Sequence, residues 1–129
     1  MVIDTSAICA ILFNESDAAV FEAAIAKDSI RLMSTANILE SAIVIEARYG
    51  EVGGREFDLL LHKASVERVA FSIEQIEIAR HAWQRYGKGK HLASLNLGDC
   101  FAYSLSMISG EPLLFKGADF AQTEIKRYL

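Results

Sequence analysis

Apolar positions recur along this chain in two rhythms, one suited to strands and one to helices, and the two take turns. Met1-Val2-Ile3 is a short apolar strand that meets an acid, Asp4, at once. Thr5 to Phe13 is small and apolar and predicts a helix that begins immediately; Asn14-Glu15-Ser16-Asp17 breaks it. Ala18, Phe21, Ala24 and Ile25 then fall at helical spacing, so a second helix, capped by Ser16 or Asp17, runs to about Lys27. Ile30 to Ser34 alternates as a second strand. Thr35 caps a helix from Ala36 to Tyr49 that Gly50 stops, and Gly54 to Lys63 forms another with Phe57, Leu60 and Leu61 on one side. Val66 to Phe71 is a third strand. Ser72-Ile73-Glu74-Gln75 fits a capping box, and its helix runs to about Tyr86. After a basic loop, Gly87 to Ser94, Asn96 opens a helix through about Ser109, which Gly110 ends. Pro112 to Phe115 is the fourth strand, and a polar turn after Gly117 leads to a weak last strand, Ile125 to Tyr128.

Strands that alternate with helices predict an α/β fold: a parallel sheet of four to five strands with helices on both faces, in one domain over residues 1–129. Such sheets bind ligands beyond the carboxyl ends of their strands, where strand order reverses. That directs attention to the acids there. Asp4, Glu40 and Asp119 follow the first, second and fourth strands, and Asp99 opens the helix that leads into the fourth.

Each acid also has an ordinary structural role. Asp4 is placed to cap the helix from Thr5. Asp99, at the third helical position after Asn96, suits the helix dipole. Asp119 sits in a turn, where Asp is common. Glu40 is harder to dismiss. Its same-side neighbours Ile43, Val44 and Ala47 are apolar, which puts it on an inward-facing stripe. An unpaired carboxylate there is costly and calls for an Arg, a Lys or a metal ion. Four carboxylates at one end of a sheet suit a hard cation with oxygen ligands, Mg²⁺ with Mn²⁺ as substitute. His62, His81 and His91 are scattered, and Cys9 and Cys100 read as buried free thiols, so zinc is disfavoured.

Composition changes this picture little. Of 129 residues, 52% are hydrophobic and 23% charged, enough for a core and against disorder. The net charge of −4 argues mildly against a nucleic-acid binder. Bound divalent cations would offset it. No basic leader precedes Asp4 and no apolar run is long enough to span a bilayer, so the expected location is the cytoplasm.

Four motifs carry a resemblance. They are Val2-Ile3-Asp4-Thr5-Ser6-Ala7, Ser34-Thr35-Ala36-Asn37-Ile38-Leu39-Glu40, Leu97-Gly98-Asp99-Cys100-Phe101-Ala102-Tyr103, and Leu113-Leu114-Phe115-Lys116-Gly117-Ala118-Asp119-Phe120. In this order, over essentially the whole chain, they resemble the PIN-domain family, specifically the VapC-type ribonuclease toxins of toxin–antitoxin pairs. The resemblance implies a Mg²⁺-dependent endoribonuclease that cuts single-stranded RNA (tRNA, rRNA or mRNA). Asp4 and Asp99 would be the surest metal ligands, followed by Glu40 and then Asp119. Thr5 and Ser6 would be auxiliary, as would Glu124, in the place of a further acid. The resemblance also implies a cognate antitoxin partner, a homodimer and a possible larger assembly, with no membrane role. Lys88-Gly89-Lys90-His91 resembles a basic loop of the same toxins, although Leu92 stands where similar sequences often have proline. With Lys116, Arg48 and Arg85, Lys88 and Lys90 are the candidates for gripping RNA phosphates.

Two other readings compete. A phosphate-sensing module would need a pair of acids after the first strand, and only Asp4 is there. A pure interaction module would use the acids as caps, which leaves Glu40 unexplained.

Overall fold

β1 (Val2–Ile3) lies inside a four-stranded parallel sheet in the computed structural model, which describes residues 1–129. β2 (Leu32–Ser34), β3 (Glu67–Val69) and β4 (Leu113–Leu114) complete it in the order β3-β2-β1-β4. Val2 is in register with Leu32 on one side and Leu113 on the other. The chain therefore builds outward from β1 to β3, then returns to add β4 on the opposite flank. The switch in strand order falls between β1 and β4.

Strand residues alternate between two cores. Met1, Ile3, Met33 and Leu114 face α1 (Thr5–Leu12), α2 (Ala18–Lys27) and α3 (Thr35–Lys63), where Ile8, Phe21, Ile45 and Phe57 close the layer. Val2, Leu113 and Phe115 face α4 (Ile73–Tyr86) and α5 (Leu97–Ser109), against Ala82, Tyr86, Tyr103 and Leu105. Helices thus cover both faces, as the alternation predicts. No helix is long and apolar enough to cross a membrane.

Several local features differ from the sequence reading. The two helices expected on either side of Gly50 are both present and meet at a kink there, φ 66° and ψ −158°, within the continuous element α3; the second begins at once rather than at Gly54. The weak last strand is reduced to a single bridge, Leu113 with Arg127. Asp17 stands at the head of α2 but makes no side-chain cap. The capping box at Ser72 is half formed. Ser72 Oγ accepts from Gln75 N at 3.2 Å, while Gln75 Nε2 donates to Ala70 O instead of reaching back. The complete box is at α5: Asp99 N donates to Asn96 Oδ1 and Asn96 N donates to Asp99 Oδ2.

Candidate active site

In a parallel sheet the helices run back against the strands, so their N-termini lie at the carboxyl edge. That geometry gathers three of the acids. Asp4 is the N-cap of α1, Asp99 is in the first turn of α5, and Glu40 is in the second turn of α3. Asp119 heads a short 3₁₀ turn, Asp119–Gln122, beyond β4.

Each of the three helix-borne acids ties down one oxygen. Asp4 Oδ2 accepts from Ser6 N at 3.0 Å and from Ser6 Oγ at 2.5 Å. Ser6 Oγ also accepts from Lys116 N at 2.9 Å, which clips the end of β1 to the segment after β4. Glu40 Oε1 accepts from Thr5 Oγ1 and from Asn37 Nδ2. Asp99 Oδ2 accepts from Asn96 N at 3.0 Å. Asp4 Oδ1 and Glu40 Oε2 take no side-chain hydrogen bond, and the Asp99 carboxyl also meets that of Asp119, a hydrogen-bonded contact that helps burial to raise its pKa. Thr5 and Ser6, expected as auxiliary residues, thus each hold an acid in place.

The electrostatics show that the acids share one environment. Burial pushes Asp4 up to about 6, against the hydrogen bonds from Ser6 and with help from the Glu40 charge. Burial also pushes Asp99 up to about 7. The Asn96 N–H opposes the rise, and the charges of Asp4 and Asp119 add to it. Cys9 is half-buried rather than fully buried, and its thiol is raised to about 11 by burial and then by Asp4 and Glu40. No cationic side chain relieves the cluster. The ion pairs of the chain involve only the Met1 ammonium and Lys116, with Asp28, Glu111, Glu15 and Asp17 as partners.

Glu40 reaches this place for a different reason from the one the sequence suggests. Its neighbours Ile43 and Val44 are 60% and 40% exposed, so the apolar stripe faces outward. The inward face of α3 carries Asn37, Ser41 and Ile45. Helical spacing alone gives a stripe without saying which side the sheet covers. Asn37 is the residue that the motifs did not single out. It is fully buried and its Nδ2 donates to Gly98 O at 3.0 Å, joining α3 to α5, while its Oδ1 has no partner. Its signal was an amide three residues before Glu40 on the same helix side.

Other expected residues lie elsewhere. Glu124 accepts from the hydroxyls of Tyr86 and Tyr103, against α4 and α5. Burial works to raise it, but the two hydroxyls outweigh burial and hold it below the usual carboxylate range. It shares no hydrogen bond with the other acids. Lys116 Nζ is paired with Glu15 and Asp17, so its charge is already matched. Arg48 stacks over Phe13 and Tyr49, and Arg85 over Tyr86. Lys88 is exposed in the loop after α4, as is Lys90.

The PIN-domain model matches residues 1–126. The chain belongs to the PIN-domain family. Within it the relatives are of VapC type. Ribonuclease VapC30 of Mycobacterium tuberculosis is 62% identical over 125 residues, covering 97% of this chain and 95% of the relative. Ribonuclease VapC of Mycolicibacterium smegmatis is 59% identical, with 97% of each chain covered. The crystal structure of Mycobacterium tuberculosis VapC20, a sarcin-ricin loop cleaving toxin, superposes with a TM-score of 0.79 over 96% of this chain and 95% of that one. At 13% identity it shows the PIN fold alone.

The donor set of this PIN domain fits a hard divalent cation. The converging groups are carboxylates. No three acids, and no mixed set with His or Cys, stand close enough together to form a ready-made cage. An open arrangement suits Mg²⁺, which keeps several of its own waters and is held by only one or two carboxylates.

Proposed function

We propose that this chain is a metal-dependent endoribonuclease that cuts single-stranded RNA (tRNA, rRNA or mRNA) and serves as the toxin of a toxin–antitoxin pair in the cytoplasm. One observation carries the metal-dependent reading: Asp4 and Asp99 are buried within each other's electrostatic reach, with no Arg or Lys paired to either. Caps alone do not require that. Each acid caps a helix with one oxygen, and the other oxygen is surplus to the cap. The names of the VapC relatives supply the ribonuclease activity.

Asp4 and Asp99 would hold Mg²⁺, or Mn²⁺ in its place, and Glu40 and Asp119 would join directly or through water. When bound, the ion lowers the pKa of a water, orients it for in-line attack on phosphorus and neutralises the leaving oxygen. The chain's own task is to keep the acids in place and ionised. Ser6 fixes the Asp4 carboxylate, Thr5 and Asn37 fix Glu40, and Asn96 fixes Asp99. The caps also lower the proton affinity that burial raises.

The partner reading follows the same family. A groove of about 450 Å³ between the helices of one face is lined by Ile11, Leu12, Ile45, Tyr49, Val52 and Leu60. It suits an apolar segment of an antitoxin. A homodimer, alone or within a larger toxin–antitoxin assembly, would use further apolar surface such as Leu39 and Ile43, 63% and 60% exposed.

The chemistry is tested by mapping RNA ends after cleavage by the purified chain. Metal-assisted hydrolysis leaves 5′-phosphate and 3′-hydroxyl ends and stops in EDTA. Cyclic-phosphate ends, or cleavage that persists in EDTA, would overturn the proposal.

A further inference from the structure

Phe71, Arg80, Trp83, Leu97, Cys100 and Phe101 line a surface cavity of about 490 Å³ that the acid cluster does not use. The two share the helix α5. Leu97, Cys100 and Phe101 share one side of α5, and Asp99 lies on the other side of the same first turns. The walls are aromatic and already arranged. Phe71 and Phe101 meet edge to face, with centroids 4.8 Å apart. Trp83 is 45% exposed, and Gly87 lies so close to one edge of its indole that a β-carbon there would stand 2.6 Å from Trp83 Cδ1. Lys90 Nζ lies 4.3 Å from the indole centroid.

The charge around the cavity runs against the rest of the chain. Between Ile78 and Gly98 there are Arg80, Arg85, Lys88, Lys90, His81 and His91, and none of the chain's 17 acids. The cavity wall holds one cation and no acid. Aromatic faces next to isolated cations match the chemistry of single-stranded nucleic acid, which offers flat bases and phosphates in alternation. A second copy of this chain fits less well. A two-fold contact through this patch would set Arg80 and Lys90 near the same residues of the other copy, like charge against like.

We propose that the cavity is a base-binding subsite. An unpaired base of an RNA strand stacks on Trp83, beside the Phe71–Phe101 pair. Arg80 and Lys90 meet the flanking phosphates. That the strand is RNA rests on the ribonuclease reading; the binding itself does not, and is tested without catalysis.

Trp83 is the only tryptophan in the chain, so its emission reports on the cavity alone. The purified full chain in EDTA is titrated with oligo(A), oligo(C), oligo(G), oligo(U) and an abasic phosphodiester strand of the same length. At least one base-bearing strand should change Trp83 emission saturably, and the abasic strand should not. Followed by the fluorescence anisotropy of an end-labelled strand, since neither variant keeps a tryptophan, Trp83→Ala should weaken binding roughly tenfold or more, and Trp83→Phe should recover part of the loss, as stacking predicts. Matched melting temperatures show that both variants fold. Three results would overturn the subsite: no strand binds, strands bind with the emission unchanged, or the emission changes with protein concentration alone because a second copy fills the cavity. Cleavage in Mg²⁺ is scored separately. Cleavage without an emission change removes the subsite and leaves the ribonuclease. An emission change without cleavage in Mg²⁺ or Mn²⁺ removes the ribonuclease and leaves a nucleic-acid-binding cavity.

Discussion

The Glu40 carboxylate rests on the backbone of Gly98. A β-carbon at Gly98 would stand 1.9 Å from Glu40 Oε2, so any side chain there would have to push the flexible Glu40 carboxylate aside. The place of the α3 acid therefore depends on a residue of α5 that has no side chain.

This relationship separates site geometry from stability. Gly98 lies in the first turn of α5, where alanine is the better helix former by up to about 1 kcal/mol. Gly98→Ala should leave the melting temperature within a few degrees of wild type. It should push Glu40 aside and lower the RNA cleavage rate roughly tenfold or more, since small misplacements in an active site are expensive. Steady-state cleavage assays and thermal melts on the same preparation check both halves. Undiminished cleavage would mean that Glu40 has no role in catalysis.

The acids should make stability depend on pH in an unusual direction. Asp4 and Asp99 ionise at about 6 and about 7 in the folded chain, above the ordinary value of 3.8. Between the ordinary value and these raised ones, the folded state holds protons that the unfolded state has released. Stability from these groups is thus fully present below the unfolded pKa and falls as pH rises through the folded pKa. A divalent cation competes for the same oxygens. Metal-free melting temperatures should fall from about pH 5 to about pH 8, and added Mn²⁺ should restore more at the upper end. Equal Mn²⁺ shifts at both pH values would contradict a carboxylate site.

Asp99→Asn should stabilise the metal-free chain. The amide oxygen can still accept from Asn96 N, while the charge that Asp4 and Asp119 oppose is gone. The melting temperature in EDTA near pH 8 should rise by a few degrees, on the order of what 1 kcal/mol yields in a domain of this size. A purely structural Asp99 would give no gain, or a loss.

The basic residues should divide by whether their charge is already matched. Lys88→Glu and Lys90→Glu should weaken RNA binding most at low salt, and each should reduce the salt slope by about one if it loses a phosphate contact. Lys116→Glu should alter RNA binding less than either, because Glu15 and Asp17 already neutralise Lys116. Binding measured across a salt series decides this.

The strand–helix order was legible because β1 and β2 are short apolar runs that end at a polar helix start, and Ser72 and Asn96 mark the starts of α4 and α5. Asp4 and Asp99 were legible twice, as caps and as family motif residues, and the structure shows the capping hydrogen bonds of each. Glu40 was found through a stripe that faces the other way. Ile43 and Val44 look like core in one dimension, but only tertiary packing tells which apolar face the sheet covers. Gly50 reads as a helix stop, yet the chain resumes its helix at once because one residue of positive φ interrupts it without a loop. The pairing of Lys116 joins residues about a hundred positions apart, and no local pattern carries that. Trp83 drew no attention in the sequence, since one aromatic on a helix ordinarily means core.

The most direct test of the central claim is the rate of RNA cleavage by purified Asp99→Asn beside wild type in Mg²⁺. The substitution removes one carboxylate charge at nearly constant shape and keeps the cap acceptor. A metal-holding Asp99 predicts a loss on the order of a hundredfold or more, as for other groups that stabilise charge at the reacting centre. Cleavage as fast as wild type would contradict the account.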